Sequence, residues 1–247
     1  MFDRIGCFHF VEGHDRPICA LKEQMGRCGD LTNSLIVLPE AFNLGRPYGK
    51  GPGPTICHSS IKTALTKLAK DCSITFVVSL LVPGEADKPD NVAYLIDGLA
   101  DPREICKKKG DDGTGIYEPR ASDCDLENPI TVNGTSVGVL ICMDARDRFK
   151  ALRERLQGFD SVQKLICIPA AFSGGSTFLG GRLGWRFWPE ADDTTIVLAN
   201  SLDEDRSFVT NRLGVIIASA DPINENQLVL LPAESRSLNK PSLSLTS

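Results

Sequence analysis

The chain has 247 residues, 42% of them hydrophobic and 24% charged, an ordinary globular balance that suits one large domain or two small ones. A net charge of -5 and a pI near 5.3 exclude the concentrated basic face that phosphate binding demands, and Lys107, Lys108 and Lys109 are too short a run to supply one, so no nucleic-acid partner is expected. No apolar stretch approaches a membrane span, and nine cysteines without CxxC spacing point to a reducing compartment, with most of them expected as small buried hydrophobes.

The N-terminal Met1-Phe2-Asp3-Arg4-Ile5-Gly6 opens with an acid and a base and runs into an alternating segment without a signal-peptide core, so a cytoplasmic location is expected. Ile18, Leu21 and Met25 suggest a short helix before the first apolar strand, Ser34 to Leu38, and Gly45 to Pro54 reads as a loop. Ile61, Ala64, Leu65, Leu68 and Ala69 fall at three- and four-residue intervals and predict an amphipathic helix capped from the Ser59-Ser60 side. Strands follow at Ile74 to Val82 and Val92 to Asp97, then a long polar excursion from Lys109 to Asp125. A strand from Ser136 to Cys142 leads into a helix carrying Leu152 and Leu156, and a further strand spans Lys164 to Ile168. After the Gly-rich stretch Ser173 to Gly184 come strands at Thr195 to Ala199 and Leu213 to Ser219. Residues 1–231 make up the domain, and Pro232 to Ser247, rich in Ser and Pro, reads as a tail. Several strands are continuous apolar runs, as in sheets covered on both faces, and their alternation with helices predicts an α/β architecture.

Such sheets deliver reactive groups beyond the carboxyl ends of their strands. Two ends stand out: Glu40 follows SLIVLP, and Cys142 follows SVGVLI. Taken singly, Glu40 reads as a solvated loop charge and Cys142 as core. In combination, IVLPEAFNLG resembles the strand-Pro-Glu-aromatic motif of the nitrilase superfamily, and SVGVLICMDAR resembles its nucleophile motif, in which Gly, an apolar run, Cys, one residue, Asp and Arg follow in order. NVAYLIDG, LICIPAAF and TIVLAN are similar to further strand motifs of that family, so the likeness runs from about Ile5 to Ala218.

The resemblance implies a single-domain four-layer α-β-β-α sandwich, no cofactor or metal, and a homodimer or larger assembly. It implies Cys142 as nucleophile, Glu40 as general base and a lysine that stabilises the oxyanion together with the Met143 backbone N–H. The family's context of aromatic, basic residue and lysine best fits Lys108, although Cys106 stands where the aromatic usually does. On a strand Lys107 and Lys109 share one face and Lys108 takes the other, so the choice of lysine is a choice of face. Glu118, in GIYEPR, matches a second glutamate that orients substrate or assists the base; it also reads as an ordinary loop carboxylate. Phe42, Met143 and Phe172 are expected to line the substrate pocket. The sequence departs from the family at Met143, at Asp147-Arg148-Phe149 and in PEADDT.

The chemistry so implied is hydrolysis of a non-peptide carbon–nitrogen bond. A small amide is the first expectation; N-carbamoyl amines and nitriles are alternatives served by the same three residues. Arg46, Arg120, Arg146 and Arg182 are either partners for a substrate carboxylate or solvated surface charges. A histidine-dependent hydrolase is disfavoured, because His9, His14 and His58 all lie in the first quarter without a GxSxG elbow or HExxH spacing; they read as surface or loop residues. The alternative from another class is a degenerate family member that binds a small molecule without turning it over.

Overall fold

The computed structural model describes residues 1–11, 16–44, 57–83, 89–108, 129–142, 144–171, 194–201, 206–212, 215–220 and 225–233. The expected Gly45 to Pro54 loop, the Lys109 to Asp125 excursion, the Gly-rich stretch and the tail beyond residue 233 lie outside them.

Parallel strands cannot be joined by a tight turn, so each parallel junction needs a crossover. β1 (Arg4–His9) reaches β2 (Ser34–Val37) through α1 (Pro17–Arg27), and β2 reaches β3 (Thr75–Pro83) through α2 (His58–Cys72); both junctions are parallel. β4 (Pro89–Ile96) and β5 (Arg103–Lys108) then add antiparallel neighbours. The second sheet starts with a hairpin of β6 (Ile130–Val132) and β7 (Thr135–Val139). Its crossover helix α3 (Asp144–Gln157) leads to parallel β8 (Gln163–Ala170) and β9 (Thr194–Asn200), followed by antiparallel β10 (Phe208–Thr210) and β11 (Ile216–Ser219). β12 (Gln227–Pro232) returns to the first sheet beside β1. The two six-stranded orders are β12-β1-β2-β3-β4-β5 and β11-β10-β9-β8-β7-β6, each mixed and each with a parallel trio inside.

Side chains alternate across each strand, and the alternation sorts the core into layers. In the first sheet Ile5, Cys7, Leu35, Val37, Val77, Ala93 and Leu95 face the second sheet and join Val137, Val139, Leu165 and Val197. The intervening Phe8, Ile36, Phe76, Val78 and Tyr94 face α1 and α2, meeting Leu21, Met25, Ile61 and Leu65. On the other side α3 lays Phe149, Leu152 and Leu156 on the second sheet. The order helix, sheet, sheet, helix is the expected sandwich. Each large side chain buried in these layers contributes roughly 1.5–3 kcal/mol.

Local details differ from the sequence expectations. α2 begins at His58, so Ser59 and Ser60 sit in its first turn and the N-cap is Cys57. β7 ends at Val139, and the chain runs on to Cys142 by irregular bonds, Leu140 N–H donating to Cys167 O at 3.0 Å. Pro232 still pairs with Arg4, and Ala233 N–H donates to Asp3 O at 2.7 Å, so the start of the expected tail belongs to the sheet.

Candidate active site

Glu40 sits just past the end of β2, where the backbone of the first sheet bonds across to the second. Leu38 N–H still donates to Val77 O on β3 at 2.8 Å, whereas Glu40 N–H donates to Ala170 O at the end of β8 at 3.3 Å. A short 3₁₀ turn, Phe42–Leu44, follows, and Asn43 anchors it by completing a strand-like pair with Leu81: Asn43 Nδ2 donates to Leu81 O at 2.9 Å and Leu81 N–H to Asn43 Oδ1 at 2.8 Å. The Glu40 side chain is only 8% exposed, and Asn91 Nδ2 donates to its Oε1 at 2.7 Å. A buried carboxylate needs such donors, because an unsolvated charge is costly.

Cys142 arrives at the same place from the second sheet. Its N–H donates to Pro169 O at 2.9 Å, the residue before the one that holds Glu40, so consecutive carbonyls of β8 fasten both backbones. Its φ of 49° lies in the left-handed region, uncommon for a residue with a Cβ, and Ala145 N–H closes the turn onto Cys142 O at 3.0 Å. The turn places Cys142, 9% exposed, just ahead of the N-terminus of α3.

Lys108 is the last residue of β5, paired with Asn91; its side chain lies outside the described residues. The pairing depends on a bulge. Glu104 opposes Tyr94, but Cys106 opposes Ala93, which leaves Ile105 as the extra residue and moves every later partner by one. Without it, Lys107 would oppose Asn91.

Phe42 belongs to the aromatic cluster under α1 and α2, its ring centroid 6.2 Å from that of Phe8 and 6.1 Å from that of Phe10. Met143, Glu118 and Phe172, with His14, Arg46, Arg120 and Arg182, lie outside the described residues, as does the side chain of Arg146. His9 is not the surface residue expected: it is fully buried on β1, its Nδ1 3.1 Å from Ser207 Oγ. Of the seven cysteines whose side chains are described, only Cys7, Cys142 and Cys167 are buried, so the expected burial of most of them does not hold among these. Asn91, Ser79 and Asn43 are site residues that sequence reasoning missed.

Among the described residues no helix is long and apolar enough to cross a membrane, and no group of three His, Cys, Asp or Glu is placed to hold a metal. No protein-family model matches the sequence, and no curated protein matches it significantly. Solved structures do. An amidase from Nesterenkonia sp. is 19% identical, with a TM-score of 0.67 over 93% of this chain and 89% of that one. A mutant of the Nesterenkonia AN1 amidase, from the nitrilase superfamily, is 18% identical with a TM-score of 0.66 over 93% and 90%. A third, a mutant of the amidase from Nesterenkonia sp. AN1 with the acetamide moiety of fluoroacetamide added covalently at the active-site cysteine, is 17% identical, with a TM-score of 0.64 over 93% and 90%. Over more than nine-tenths of its length, this chain carries the fold of the nitrilase-superfamily amidases.

Proposed function

We propose that the protein is a thiol-dependent carbon–nitrogen hydrolase acting on a small amide. The observation that carries the reading is the convergence of a buried carboxylate and a buried thiol, Glu40 and Cys142, on consecutive carbonyls of β8. The fold supports it: structures similar to this chain include Nesterenkonia amidase variants in complex with acrylamide and with butyramide.

In this reading Glu40 takes the Cys142 proton as sulfur attacks the carbonyl carbon, and the carbonyl oxygen becomes an oxyanion. Lys108 and the Met143 N–H stabilise that charge. Collapse of the intermediate breaks the carbon–nitrogen bond; Glu40 returns the proton to the departing nitrogen, releasing ammonia and leaving a thioester on Cys142. Water then attacks the thioester with Glu40 again as base, the carbon–sulfur bond breaks, and the acid departs. Glu118 orients substrate or assists the base, and Phe42, Met143 and Phe172 are the pocket residues of the proposal. The assignment of Lys108 draws on the register, since Lys108 is the β5 residue paired with Asn91, which reaches Glu40. Neither N-carbamoyl amines nor nitriles are favoured by a feature of the site. A cytoplasmic location and self-association complete the proposal.

The lysine assignment has a direct test. Lys108→Ala is expected to lower ammonia release from butyramide by at least about a hundredfold, as loss of an oxyanion partner does elsewhere, while Lys107→Ala stays within a few-fold of wild type. The opposite ranking would move the oxyanion role to Lys107.

A further inference from the structure

We infer that Ser79 and Asn91 are positioning residues for Glu40, joined in a one-way chain of hydrogen bonds that fixes an amide donor on one carboxylate oxygen; the inference rests on the reading of Glu40 as the base. The chain starts at the Ala41 backbone, whose N–H donates to Ser79 Oγ at 3.2 Å. The Ser79 hydroxyl has a single proton, and it donates that proton to Asn91 Oδ1 in a short bond. With its oxygen held, the Asn91 amide cannot turn over without losing that bond, so its Nδ2 is the end presented to Glu40 Oε1, at 2.7 Å.

Every link has a fixed direction, and the chain closes on itself: it begins at residue 41 and ends on the carboxylate of residue 40. Ser79, Asn91 and Glu40 are all buried. Ala41, with φ of 50°, is held in a conformation that alanine seldom adopts, and its bond to Ser79 is part of what holds it there. The result is a carboxylate whose Oε1 is held by an amide donor of fixed direction. An amide suits this task. A cation in its place would favour the ionised carboxylate more strongly and weaken the base, and an apolar residue would remove the donor. Among the described residues, the titratable groups on the surrounding elements include Cys142, Lys108 at the register position of Asn91, and His9 on β1; Asp90 lies on the opposite face of β4 from Asn91.

The test compares Asn91→Ala, Asn91→Asp, Ser79→Ala and Ser79→Thr with wild type. Ammonia release from butyramide is followed against pH, and the Glu40 carboxyl is titrated by carbon-13 NMR, assigned through Glu40→Gln. Loss of the donor in Asn91→Ala is expected to lower kcat about tenfold or more with little change in KM. It also moves both the acidic limb of the rate profile and the Glu40 titration to higher pH, because a donor to the charged form has been removed. Asn91→Asp moves them further, since a second carboxylate opposes ionisation of the first. Ser79→Ala moves them in the same direction, and Ser79→Thr, which keeps the hydroxyl, restores wild-type behaviour. A lower melting temperature with the pH limb and the titration unmoved would mean that these residues only stabilise the fold, and would overturn the inference. The titration needs no substrate, so it decides the chain even if the hydrolase reading fails: an upward shift supports it, and an unmoved Glu40 overturns it.

Discussion

A thiol reacts as its thiolate, so the surroundings of each cysteine set its reactivity. Cys7 and Cys167 are fully buried between strands, and desolvation pushes both thiols well above their ordinary value. Cys57 is exposed, and its bond with the Ser59 hydroxyl, helped by the Ser59 and Ser60 backbone at the start of α2, holds its thiol below the ordinary value. Limited iodoacetamide treatment of the native protein, read by peptide mapping, is expected to label Cys142 and Cys57 first and to spare Cys7 and Cys167 until the protein unfolds. The sign follows from the thiolate: a lowered pKa keeps Cys57 reactive at a pH where an ordinary thiol is protonated, and a raised one keeps Cys7 and Cys167 protonated. Labelling of Cys167 at the rate of Cys57 in the native protein would contradict this. The positions of Glu40 and Cys142 just past strand ends were legible in the sequence because each follows an apolar run, Cys142 within a specific motif. Asn91, Ser79 and His9 were not, because an isolated polar residue beside a strand looks the same whether it faces solvent or a buried partner.

At the scale of elements, the apolar runs foretold most central strands, with ends off by a few residues because packing and not composition decides where a ladder stops. The β6–β7 hairpin escaped notice although its signal is present. Asn133 and Gly134 both take positive φ, 47° and 72°, as a type I′ turn requires, and Asn-Gly is the pair that best tolerates it. The bulge at Ile105, by contrast, follows from pairing with β4 and has no local signature in ICKKK, which is why the lysine remained a choice of face. Packing between α3 and β7 offers a sharper test of the fold. A Cβ placed on Gly138 would lie 2.8–2.9 Å from Leu152 side-chain atoms. Gly138→Ala is therefore expected to destabilise by about 1–3 kcal/mol in urea unfolding, and Leu152→Ala in the same chain to cost less than it does alone, because the smaller side chain makes the room. Strict additivity of the two substitutions would contradict that contact.

The molecule as a whole is two sheets pressed face to face, with the candidate site at the seam where their strands end. Bonds across the seam fix its geometry: Glu40 N–H to Ala170 O, and Phe10 N–H to Asn200 O at 3.3 Å. The four-layer plan was legible because alternating helices and apolar strands permit few arrangements, and because the nitrilase-like motifs fall in the right order. Which strands would lie at the edges was not legible, since β12 gains its place through β1, a partner far away in sequence. The central claim is that this seam breaks carbon–nitrogen bonds through Cys142, and the most direct measurement is ammonia release from acrylamide, butyramide and related small amides by wild type and Cys142→Ala. The account predicts steady release by wild type and a loss of at least about a thousandfold in the variant, whereas equal release by both proteins, or none by either, would contradict it.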